Sequence, residues 1–164
     1  GITNGHGSNV ETLASKLNDT DISLLVVLDD DSDGKGYKDK IIKIKGSYSA
    51  DNVFTIRDLV GGIVDGGTIE DTLGTSFISS KTKEVFEQTF TGEVYDLTLV
   101  DASPFVDQVR IYLQKKGKTK KVVENFLDNL KTKISDDFDP AKTTFATKFP
   151  LLDSLVTEIQ SKLS

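Results

Sequence analysis

The chain has 164 residues and a mass of 17.9 kDa, the size of one domain and too small for two full ones. Hydrophobic residues make up 37% and charged residues 28%, enough for a core, while 20 basic against 26 acidic side chains leave a net charge of −6 that repels a polyanion. With no Cys and the single His6, disulfides, thiolate nucleophiles, sulfur-ligated zinc and paired-imidazole sites are all excluded.

The first half alternates helix and strand signals. Ser8 to Glu11 has the form of a capping box, and Val10, Leu13 and Leu17 recur at helical spacing, predicting a helix from about Asn9 to Leu17. Ile22 to Leu28 is a short apolar run rich in β-branched residues, the pattern of a strand buried on both faces. Tyr37, Ile41, Ile42 and Ile44 predict a second helix, with Gly46 at its end, and Asn52 to Ile56 a second strand. This order implies a parallel sheet flanked by helices. Gly61, Gly62, Gly66 and Gly67 form a turn region, and Thr68 caps a helix that carries Glu70 and Asp71 in its first turn.

The second half reads as mostly helical, with no domain boundary inside it, so residues 1–164 are taken as one domain. Helices are expected over Phe77–Phe90, from Pro104 to Leu113, from Thr119 to Ile134, and, after a break at Pro140, from Pro150 to Leu163. Glu93 to Val100 alternates like a strand. The apolar stripe of the last helix, including Leu151, Leu155 and Leu163, serves either the core or an oligomer interface. No apolar stretch approaches the roughly 20 residues of a membrane span, and no signal peptide opens the chain, so the expected location is the cytoplasm, away from membranes.

Asp29-Asp30-Asp31-Ser32-Asp33-Gly34 is the most informative segment. It sets carboxylates at the carboxyl end of a buried strand, where open α/β sheets place their ligand sites. In an extended chain Asp29 and Asp31 share a side and Asp30 points away. Hard oxygen ligands favour magnesium, manganese or calcium. Repulsion within the run requires a cation, and Lys35 and Lys38 are near enough in sequence to supply one without metal. Asp29, Asp31, Asp33 and Gly34 also match the start of an EF-hand loop, which would make the chain a non-enzymatic calcium module. Lys40, where that loop needs a bidentate Glu, and the strand-like entry speak against it.

A strand ending in Asp-x-Asp, followed by a Gly and a helix, resembles the Toprim domains of topoisomerases, primases and overcoming-lysogenisation-defect (OLD) nucleases. Gly5 to Val10 resembles the glycine-containing loop of the OLD-type enzymes, and Gly67 to Leu73 their acidic helix start. The resemblance covers about Gly1 to Leu73. It implies a Toprim-like α/β fold and a nuclease that cuts DNA with two ions of magnesium or manganese. Such domains are normally fused to an ATPase partner, and anti-phage defence is the role implied. By position, Asp29 and Asp31 would be catalytic metal ligands, and Glu70 with Asp71 would serve a second ion. Toprim nucleases also carry a Glu on an earlier strand. With Gly1 at the start and no Met, the chain is expected to be a fragment lacking that strand, and Glu11 is no substitute because capping explains it.

OLD nucleases place a late Lys near the scissile phosphate, and the cluster Lys115 to Lys121 makes Lys120 or Lys121 the candidate. A solvated helix end accounts for the same lysines. His6 has no visible catalytic partner, and Gly5-His6-Gly7 lacks the Gly-Lys-Ser/Thr ending of a P-loop. A regulatory or dimerisation domain that keeps the Toprim shape without its chemistry remains a further alternative.

Overall fold

The computed structural model describes residues 7–17, 24–44, 48, 50–137 and 145–164. His6, Gly46 and Pro140 lie outside the described residues.

Two short strands, β1 (Val26–Leu28) and β2 (Val53–Thr55), pair in parallel with Val26 opposite Val53 and Leu28 opposite Thr55. Their side chains alternate between two apolar layers, as the strand period requires. Val26, Leu28 and Val53 pack with Ala14 of α1 (Gly7–Leu17), Ile41 of α2 (Ser32–Ile42) and Tyr48, whose hydroxyl donates to the Ala14 carbonyl at 2.9 Å. Val27 and Phe54 face the other way, onto Ile56 and Leu59 of α3 (Ile56–Leu59) and Leu155 of α8 (Pro150–Leu163). Helices thus cover both faces of a small parallel sheet, the arrangement that a helix–strand alternation predicts.

The boundaries differ from the sequence pattern in two instructive places. β1 is shorter than the apolar run, with Leu24 and Leu25 half-buried outside the ladder. α2 starts five positions before Tyr37, because the Asp31 carboxylate accepts the Gly34 N–H at 2.7 Å and caps it there. The apolar stripe of α8 is a cover for the sheet: Leu155 is buried and Lys162 sits 4.4 Å above the Phe54 ring, while Val156 and Leu163 stay exposed.

The remaining regular elements are helices: a 3₁₀ helix (Ile69–Leu73), α4 (Thr75–Thr89), α5 (Phe105–Lys115), α6 (Lys120–Asp137) and the short α7 (Phe145–Lys148). On α6, Val123, Phe126, Leu127, Leu130 and Ile134 keep helical spacing and pack against Phe86 of α4 and Val109 and Leu113 of α5. Phe86 contacts Phe90 and Tyr95 edge-on or tilted at 5.0 and 5.3 Å, and Phe90 stacks on Phe126 at 5.7 Å.

The strand expected over Glu93–Val100 is absent. Its alternation is real, since Tyr95, Leu97 and Leu99 turn inward between exposed neighbours. Side chains of α5 take the place of a partner strand. Gln108 accepts the Val100 N–H at 2.9 Å and donates to its carbonyl at 2.7 Å; the Tyr112 hydroxyl accepts the Asp96 N–H at 3.2 Å. Period-two alternation reports which side is buried, and the backbone partner is a separate matter. Among the described residues, no helix is long and apolar enough to cross a membrane.

Candidate functional site

The acidic run leaves β1 and turns directly into α2, so its members separate. Gly34 makes the turn possible: a Cβ at that position would collide with the Asp29 carbonyl oxygen. Asp30 swings into the protein and becomes the most buried of the run. Its Oδ1 accepts the Thr55 hydroxyl at 2.8 Å, its Oδ2 accepts the Gly66 N–H at 3.0 Å, and its own N–H donates to the Gly67 carbonyl at 2.8 Å. Lys35 adds an ion pair at 3.0 Å, and Gly66 reaches its position with a φ of 76° that disfavours other residues. Asp30 is therefore the latch that ties the end of β1 to β2 and the glycine turn. Of the two lysines expected to neutralise the run, Lys35 does so, while Lys38 pairs with Asp58 at 2.8 Å.

Asp29 and Asp31 stay near the edge of the sheet. Asp29 Oδ1 accepts the Ile69 N–H at 2.9 Å, which brings the start of the 3₁₀ helix against the end of β1. Burial pushes the Asp29 carboxyl above its ordinary value; the Ile69 N–H pulls it back, the charges of Glu70 and Asp31 push it further up, and Lys131 opposes them. Asp31 is the N-cap of α2. Asp33 is exposed in the first turn of α2, apart from the other two, and Gly34 lies inside the helix, so this segment is a capped helix start and has no EF-hand loop geometry.

Glu70 and Asp71 divide in the same way. Asp71 Oδ2 accepts the Thr68 N–H at 2.7 Å and Oδ1 accepts the Phe105 N–H at 3.0 Å, so one carboxylate caps the 3₁₀ helix and the first turn of α5 together. Burial raises its carboxyl although these donors pull it down. Both of its oxygens are committed, and the role of metal ligand expected from sequence does not fit it. Glu70 is only 9% exposed, with Oε1 3.4 Å from the Lys131 ammonium and Oε2 buried without a hydrogen-bond partner.

Lys131, which pairs with Glu70 at 3.4 Å, is the residue at this edge that sequence reasoning missed. Lys120 and Lys121 are exposed in the first turn of α6, about 15 Å along the helix axis from Lys131 at 1.5 Å per residue. Within the expected basic cluster, Lys116 pairs with Asp96 at 3.0 Å and Lys118 with Glu93, so part of it is neutralised. A signal for Lys131 was present: it lies four residues after Leu127 and three before Ile134, at the margin of the apolar stripe.

The charges of Glu70, Asp31 and Lys131 thus all act on the Asp29 carboxyl at the carboxyl edge of the sheet, while Asp30 and Asp71 are turned to other tasks and Asp33 is exposed. Among the described residues, no group of three or more Asp, Glu or His side chains is placed so that it could hold a metal ion. Glu70 Oε2 is a buried carboxylate oxygen left unpaired beside another acid, Asp29, an arrangement that a positive charge would relieve. Comparison with family models, curated proteins and solved structures gives no match for this chain.

Proposed function

We propose that the chain is a Toprim-type nuclease module of the OLD class, which hydrolyses phosphodiester bonds in DNA with magnesium or manganese and works with an ATPase partner. The observation that carries this reading is the buried, unpartnered Oε2 of Glu70 next to Asp29 and Lys131. A carboxylate oxygen without a partner is costly to bury, and a divalent cation among the acids relieves both the missing contact and the repulsion.

In this reading Asp29, Asp31 and Glu70 would hold the cation, which would lower the pKa of a water and stabilise charge on the phosphate. Lys131 binds a non-bridging phosphate oxygen and compensates the charge that builds there. The water oxygen bonds to phosphorus and gives up a proton to solvent, while the bond to the leaving sugar oxygen breaks and that oxygen takes a proton from solvent. Asp30 and Asp71 hold the edge of the sheet and the 3₁₀ helix in register so that the other acids meet.

The test is cleavage of plasmid DNA in manganese. Glu70→Gln and Lys131→Met are expected to slow it at least about tenfold, a loss of about 1.4 kcal/mol of transition-state stabilisation. Lys120→Ala and Lys121→Ala should change it by less than about twofold. Absence of divalent-dependent cleavage, or cleavage untouched by the first pair of variants, contradicts the reading.

A further inference from the structure

Glu70 and Lys131 also line a groove of about 300 Å³ whose other walls are aliphatic apart from Ser135: Ile69 and Leu73 of the 3₁₀ helix, Ile134 of α6 and Leu152 of α8. Ile69 is 43% exposed, so the groove opens to solvent. Its volume lies at the small end of the roughly 300–1,000 Å³ typical of small-ligand clefts, room for a single nucleoside and too little for stacked base pairs.

The chemistry is divided in the same sense. One part offers the Lys131 ammonium and the Glu70 carboxylate, suited to a phosphate and its cation; the remainder, apart from Ser135, offers apolar surface, suited to the flat face of a base. Intact duplex presents charged backbone and keeps its base faces stacked, so it has nothing to place against aliphatic walls. We infer that the groove receives the unstacked base of the nucleotide whose phosphate Lys131 holds, which makes the substrate single-stranded or locally unpaired DNA. This rests on the nuclease reading of the acids.

Thymidine monophosphate and deoxyribose phosphate, which differ by the base alone, test it by methyl-detected NMR titration of the 164-residue chain in magnesium. The base-bearing probe should bind about tenfold tighter and shift the Ile69, Ile134 and Leu152 methyls. Ser135 is an exposed residue of α6 on the rim of the groove, and Ser135→Trp fills the space from outside the core. That variant should bring the two affinities together, and Ile69→Ser, which removes one wall, should narrow the gap. Equal affinities in the unmodified chain, or a base preference that survives both variants, overturns the inference. A dimer that Ser135→Trp dissociates, without any base preference, assigns the groove to a second copy and overturns it as well. A base preference retained while metal titration shows no cation binding supports the groove and counts against the cation site alone.

Discussion

Among the described residues, the two buried polar side-chain atoms without a hydrogen-bond partner lie in different regions of the molecule, and they mean different things. The Tyr95 hydroxyl is enclosed in the helical core by the Phe86 and Tyr112 rings; burial, with the Tyr112 charge adding, pushes its pKa up to about 12. Glu70 Oε2 lies at the sheet edge beside Asp29 and Lys131. A neutral hydroxyl without a partner is a small defect of packing, tolerated because its ring fills space. A carboxylate oxygen in the same condition, beside another acid, costs more, and it is the observation on which the proposed cation site rests. The helical half is organised by volume, and the sheet edge by charge.

The largest expected effect comes from the acid that holds the edge together. Asp30→Ala leaves the Gly66 N–H without its acceptor, takes one of two carboxylate partners from the Thr55 hydroxyl, which keeps Asp58, and one of two from Lys35, which keeps Asp65, and should cost about 1–3 kcal/mol in urea unfolding. An effect below about 0.5 kcal/mol would show that the latch is unimportant.

Its neighbour should behave in the opposite way. The carboxyl of Asp29 is raised from its ordinary 3.8, so ionising it costs more in the folded chain than in the unfolded one. Folded Asp29 therefore withdraws stability as pH rises through the interval above 3.8, and withdraws none where both states are protonated. Asp29→Asn, which keeps an acceptor for the Ile69 N–H, should raise the metal-free Tm by about 2–4 °C at neutral pH. The gain should vanish below about pH 4. A pH-independent change would assign the effect to packing.

The smallest effect tests the other side of the comparison. Tyr95→Phe removes the orphan hydroxyl while keeping the ring contacts, and should raise Tm by about 1–2 °C without changing cation binding. A lower Tm would show that the hydroxyl has a partner after all.

Much of this arrangement was legible in the sequence, for identifiable reasons. The two parallel strands, the helices that cover them and the three long helices of the second half all follow from apolar spacing that one face of each element must satisfy. The Glu93–Val100 strand was misread because alternation encodes burial, whereas the side chains that took the place of a strand belong to α5. At the site, sequence identified the acidic segments but gave no means of separating Asp29 from Asp30 or Glu70 from Asp71. That division depends on which carboxylate meets Thr55 and Gly66, or Thr68 and Phe105, and these contacts span 25 to 36 positions apart from the local Thr68 bond. Lys131 stands out less than the five lysines within the seven positions 115–121.

The most direct test of the central claim is a calorimetric titration of the chain with manganese, compared with Glu70→Gln and with Lys120→Ala. The account predicts saturable binding that Glu70→Gln weakens at least about tenfold and Lys120→Ala leaves unchanged. No binding, or binding that Glu70→Gln does not affect, would contradict it.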